Sequence, residues 1–206
     1  MRATHIINLG TCNIGSIRNM LNYIGVENFV VNKKEDLKNV NKIILPGVGS
    51  FDNNLKKLHE LELFNIIKEL VEEKNIPILG ICLGMQLFCK KSEEGLGNGF
   101  GFFDANVIKF NFDRSMEKIL IPHMGWNDVQ MKKKSKLLDS LGTKKRFYFV
   151  HSYHVKCEDE SDVMFTTNYG YEFHSGINKN NIYGVQFHPE KSHRYGMEIL
   201  KNFSKI

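Results

Sequence analysis

The chain has 206 residues, 42% of them apolar and 25% charged, with a formal charge of +5. That length and balance suit one globular domain over residues 1–206 with a substantial core. No apolar stretch reaches the ~18 residues of a membrane span. The mild, dispersed charge argues against a nucleic-acid partner and leaves Met131-Lys132-Lys133-Lys134 as a solvated turn.

In chain order, Met1 to Ile7 leads straight into a strand-like run without the apolar h-region of a signal peptide, so a cytoplasmic location is expected. Ile6 to Leu9 reads as a strand, and Ile14 to Ile24 as a helix ended by Gly25. Phe29 to Val31 and Lys42 to Leu45 are strands, the second stopped by Pro46-Gly47-Val48-Gly49. Over residues 54–73, Leu55, Leu58, Leu61, Phe64, Ile67 and Val71 recur at helical spacing. Ile76 to Leu79 is a further strand, and a helix follows Cys82. This alternation predicts a parallel sheet covered on both faces.

The second half is richer in short strands: Val107 to Phe110, Phe147 to Val150, Tyr153 to Cys157, Val163 to Thr167 and Tyr183 to Phe187. A closing helix runs from about His193 to Phe203. Sites in open α/β sheets form beyond the carboxyl ends of strands. Cys82, the Gly47 to Gly49 turn and His188 all follow strands directly, so they can converge on one edge. The four cysteines, Cys12, Cys82, Cys89 and Cys157, show no C-x-x-C pair and no zinc-like histidine spacing, so reduced thiols are expected.

Gly80-Ile81-Cys82-Leu83-Gly84-Met85-Gln86 combines a strand that stops abruptly with a cysteine between small residues and a helix. A lone cysteine in an apolar stretch is often inert core. Glycines at 80 and 84, however, allow the strained strand-to-helix turn of a nucleophile elbow. At a helix start the thiolate is favoured, and the Leu83 N–H points toward an oxyanion. Cys89 lacks this context and reads as core packing. His188 and Glu190 are two residues apart, on one side of an extended segment stiffened by Pro189. Glu190 is then the partner of one ring nitrogen while the other faces the thiol. The alternative is a loop histidine beside a helix-capping glutamate. The Pro46 to Gly49 segment is either a plain turn or a second backbone donor at Val48 for the oxyanion.

These pieces together resemble the class I (triad) glutamine amidotransferases. Four segments narrow the likeness: Leu45 to Phe51, Pro122-His123-Met124-Gly125-Trp126-Asn127, Phe147 to Tyr153 and Gln186 to Ser192; the second of these and His151-Ser152-Tyr153 are the selective ones, whereas the Cys82 and His188-Pro189-Glu190 pieces specify only the superfamily. In matching order along almost the whole chain, they resemble the glutaminase subunits of imidazole glycerol phosphate synthase. The resemblance implies a single-domain, flavodoxin-like α/β fold: a central, mostly parallel sheet with helices on both faces, plus a smaller antiparallel sheet. It implies glutamine hydrolysis through a γ-glutamyl thioester on Cys82, without cofactor or metal. Ammonia then passes to a (β/α)8-barrel cyclase partner of histidine biosynthesis. Carried over by motif position, Gln86 and Glu94 bind the α-amino and carboxylate end of L-glutamine. Ser152 and Tyr153 help through backbone groups, and Gly49 lines the oxyanion turn. On the residues alone, Glu94 reads equally as a solvated loop charge.

One segment departs. Where the family has an aromatic-Gly-Met-Gly-Asn stretch, this chain has Asn8-Leu9-Gly10-Thr11-Cys12-Asn13-Ile14-Gly15-Ser16. The resemblance places that segment, with Asn13, at the partner interface together with Met124 and Trp126. The departure leaves the pathway open, since relatives of this subunit feed ammonia to barrel-like partners that amidate surface-polysaccharide sugars. A stand-alone γ-glutamyl hydrolase and a non-catalytic binding module are the competing readings.

Overall fold

A computed structural model of the chain describes residues 3–112, 119–138 and 145–206. Its first half alternates as expected. β1 (Thr4–Ile7), β2 (Asn28–Val31), β3 (Ile43–Gly47) and β4 (Ile78–Cys82) are joined through α1 (Ile14–Tyr23), α2 (Phe51–Glu60) and α3 (Leu63–Glu72). α4 (Leu83–Gln86) then leads to β5 (Lys91–Ser92), β6 (Ala105–Lys109), β7 (His123–Asp128) and β8 (Gln130–Met131). β9 (Arg146–His151), β10 (Tyr153–Cys157), β11 (Val163–Tyr169), β12 (Tyr171–Lys179), β13 (Ile182–Val185) and α5 (His193–Lys205) complete the chain.

The sheet runs β2-β1-β3-β4-β13 in parallel register and continues through β12, β10 and β6 to β5, with β11 and β8 branching from β12. β7 and β9 form a separate antiparallel pair. The inner parallel strands β1, β3, β4 and β13 are buried on both faces, which is why they read as largely apolar runs, whereas β2 at the sheet edge is partly open to solvent. Strand alternation divides their side chains between two cores. Ile43 and Leu45 join Leu58, Ile67 and Val71 of α2 and α3, whereas Ile44 joins Ile17, Ile199 and Phe203 of α1 and α5. No helix among the described residues is long and apolar enough to cross a membrane.

Five expectations change. The single helix over residues 54–73 is two helices, broken where Glu62 takes a φ of 55°. An apolar residue at every third position falls about 60° short of a full turn each time, so one straight helix would rotate its stripe off the core. Two helices each keep their own apolar face buried. The helix after Cys82 is a single turn, and Cys89, fully buried, lies beyond it. β3 continues through Pro46 to Gly47 instead of stopping at the proline. Glu190 lies on a 3₁₀ turn, Pro189–Lys191, not on an extended segment. Lys133 is not a solvated side chain, because its ammonium donates to the carbonyls of Ser161 and Asn178. β7 and β12 were not expected as strands from the sequence; β7 is hidden because glycine and polar residues interrupt its alternation.

Candidate active site

β4 delivers Cys82 at the carboxyl edge of the parallel sheet. The residue has φ 54° and ψ −111°, a conformation that costs a non-glycine residue energy and recurs at functional sites. The turn behind it is tight. A Cβ on Gly84 would lie 1.8 Å from the Leu45 carbonyl oxygen, and one on Gly80 would lie 2.6 Å from the Met85 nitrogen. Both glycines are therefore demanded by the elbow's packing on its neighbours. Gly47 pairs with Cys82 across β3 and β4, so the Val48-Gly49 turn and Leu83 leave the sheet side by side. Gly49 has φ +87°, which favours glycine there.

His188 and Glu190 follow β13, the next strand of the sheet. Nδ1 of His188 and Oε1 of Glu190 are 2.7 Å apart, with the imidazole almost fully buried. Pro189 starts the 3₁₀ turn that folds Glu190 back onto the ring, as Lys191 N–H bonds to the His188 carbonyl. Nε2 is buried and has no hydrogen-bond partner among the described residues. Burial disfavours the charged ring, but the Cys82 sulfur and the Glu190 carboxylate beside it prevail and push the His188 pKa up to about 10.

Cys82 opens onto a cavity of about 540 Å³. Val48, Gly49, Leu83, Gln86, Glu94, Ser152 and Tyr153, all expected at the site, line it. His188 and Glu190 are not among the residues that line it. Gln86 donates through Nε2 to the Tyr153 carbonyl and to Oε1 of Gln186, both at 3.0 Å. Glu94 is no solvated charge: its Oε2 accepts from the Phe51 N–H at 2.9 Å, and burial raises its pKa. Asp52 holds the loop that carries it, accepting from the N–H groups of Leu96 and Gly97 at 3.0 Å each. A cavity lined by a carboxylate, a carboxamide, backbone groups and a thiol suits a small amino acid with a side-chain carbonyl.

The expected partner-facing residues are open to solvent. Asn13 and Met124 are exposed, and Trp126 is partly so while stacking on His193 at 5.5 Å between centroids.

Several further residues that hold the site were not singled out by the sequence. Gln186 Nε2 lies 3.6 Å from the Cys82 sulfur. Ser192 donates to the His188 carbonyl at 2.6 Å and accepts from the Tyr148 N–H, which fixes the histidine's backbone. Asn54, fully buried on α2, donates to the carbonyls of Val48 and Ser50 and so holds the turn. A polar residue inside an apolar helical face was the available clue to Asn54.

The family model for class-I glutamine amidotransferases matches residues 5–206. The imidazole glycerol phosphate synthase subunit HisH 2 of Methanococcus maripaludis is 50% identical over 200 residues, covering 97% of this chain and 98% of that protein. Subunit HisH of Leptospira borgpetersenii is 44% identical over 201 residues, covering 98% of each chain. Among solved structures, PurLQS from Thermotoga maritima aligns with a TM-score of 0.76 at 18% identity, over 98% of this chain and 97% of that one. A glutamine amidotransferase from Thermotoga maritima aligns with a TM-score of 0.66 at 19% identity, over 98% of this chain and 82% of that one. These two likenesses carry the fold.

Proposed function

This chain belongs to the class-I glutamine amidotransferases, and from that premise we propose that it is the glutaminase subunit of an imidazole glycerol phosphate synthase in histidine biosynthesis. Its partner is a (β/α)8-barrel cyclase that consumes the ammonia to make imidazole glycerol phosphate and the aminoimidazole carboxamide ribotide. The observation that carries the chemistry is the strained Cys82 at the mouth of the cavity, backed by the buried His188–Glu190 pair.

The Cys82 thiolate attacks the side-chain carbonyl carbon of glutamine, forming the C–S bond and a tetrahedral oxyanion. The N–H groups of Val48 and Leu83 stabilise that oxygen. The His188 imidazolium gives its proton to the amide nitrogen, the C–N bond breaks, and ammonia leaves a γ-glutamyl thioester. His188 then takes a proton from water as the water attacks the thioester. Glutamate is released and the thiolate is restored. Glu190 holds the ring's orientation throughout and stabilises its charged form.

A direct test is to incubate the protein with a glutamine-like chloroketone and map the adduct by mass spectrometry. The proposal expects one adduct, on Cys82, and loss of ammonia release in Cys82→Ala. A Cys82→Ala protein that still releases ammonia at the wild-type rate with its partner would overturn it.

A further inference from the structure

Two of the selective sequence segments meet in the fold. β7 and β9 pair antiparallel with His123 opposite His151, so Pro122 to Asn127 and His151 to Tyr153 become one structure. Both histidines are buried. His151 Nδ1 lies 2.7 Å from the Tyr153 carbonyl oxygen, His151 Nε2 lies 3.0 Å from His123 Nδ1, and His123 Nε2 lies 3.2 Å from Asn127 Nδ2.

The direction of every proton in this chain can be derived. A carbonyl oxygen only accepts, so His151 carries its hydrogen on Nδ1. Its Nε2 is then the acceptor, which puts the His123 hydrogen on Nδ1 as well. His123 Nε2 must accept in turn, and it does so from the Asn127 amide. That amide's orientation is set independently, since its nitrogen also donates to the Asn168 carbonyl at 2.9 Å and its oxygen accepts from the Asp128 N–H at 2.8 Å. At the other end the Tyr153 carbonyl also takes the hydrogen bond from Gln86, a residue of the cavity wall.

We propose that His123 and His151 are positioning residues for glutamine. Their one-way hydrogen-bond chain holds the Tyr153 carbonyl, and through it the Gln86 carboxamide. It begins on the same strand that presents Met124 and Trp126, so contact with that strand reaches the substrate end of the cavity. The chain requires both rings neutral. Burial holds His123 at about 4 and lowers His151 well below its ordinary value, so the neutral forms persist at working pH. The imidazolium of His188 nearby opposes a charge on His151 further. Inferring this role rests on the glutaminase reading above.

Nitrogen-15 NMR of the unmodified protein at pH 7 reads the tautomers directly. Both rings should carry the hydrogen on Nδ1; an Nε2-protonated or a charged His151 overturns the inference. Glutamine affinity is then measured in the Cys82→Ala background, where no turnover intervenes. His151→Leu should weaken binding about tenfold, the effect of losing one hydrogen bond to the Tyr153 carbonyl. His151→Asn, whose amide nitrogen can occupy the place of Nδ1, should recover most of that loss. His123→Leu should weaken binding by a smaller factor. If Cys82→Ala itself binds glutamine while His151→Leu, folded, binds it equally well, the positioning role fails and the glutaminase reading stands. If Cys82→Ala binds no glutamine, the glutaminase reading falls first.

Discussion

The hydroxyl of Thr11 donates to Oδ1 of Asn54 at 3.0 Å. Thr11 lies in the Asn8 to Ser16 segment that departs from the family pattern, and Asn54 holds the Val48 carbonyl. A solvent-facing loop is thereby tied to the oxyanion turn through one buried side chain. Releasing the tie should let the turn sample its competent arrangement without a partner. Thr11→Val should raise ammonia release by the isolated chain about fivefold, the effect of one net hydrogen bond of ~1 kcal/mol, while Thr11→Ser should leave it unchanged. A rate in Thr11→Val equal to or below wild type rejects the link.

His188 and Glu190 should differ in the damage their loss causes. His188→Asn removes the group that moves protons and should cost nearly as much as loss of Cys82, about 10³-fold or more. Glu190→Gln leaves a partner at Nδ1 but no negative charge, and should be milder. Rates measured on folded variants, checked by circular dichroism, test the order. Greater damage from Glu190→Gln reverses the assigned roles.

Gating separates a dependent glutaminase from an independent hydrolase. Glycines flank Val48, so the peptide entering it can present either C=O or N–H toward the oxyanion. One missing donor of this kind is worth about 10²–10³ in rate. The isolated chain should therefore bind glutamine but hydrolyse it slowly, and the barrel partner with bound acceptor should accelerate it by roughly that factor. Steady-state ammonia release with and without partner and acceptor is the measurement. Full activity from the chain alone favours a stand-alone γ-glutamyl hydrolase.

Glu94 gives a pH dependence. Burial raises its pKa, so its carboxylate becomes protonated at a higher pH than an ordinary glutamate on acidification. If Glu94 holds the substrate ammonium as proposed, that hold is present above its pKa and lost below it. The KM for glutamine should rise as pH falls through this range, with kcat changing less. Glu94→Gln should show a high KM that no longer varies there. An unchanged KM in Glu94→Gln would remove the residue from substrate binding.

The alternating apolar runs and the glycine-flanked Cys82 were legible in the chain because they are local. Buried strands must be apolar, and a tight elbow needs residues without Cβ atoms where backbones meet. His188 and Glu190 were legible for the same reason, being neighbours joined by a proline, although the turn that brings them together was not. Asn54, Gln186, Ser192 and the His123–His151 pair were invisible as a group. Each has a partner 28 to 104 positions away, and only strand pairing and packing decide which polar groups face each other. The alternation of buried strands and amphipathic helices and the glycine-flanked Cys82 elbow are written locally in the chain. The tertiary structure alone decided which buried donors and acceptors hold the site in place, because a hydrogen bond depends on distance and direction in space and leaves no period along the chain.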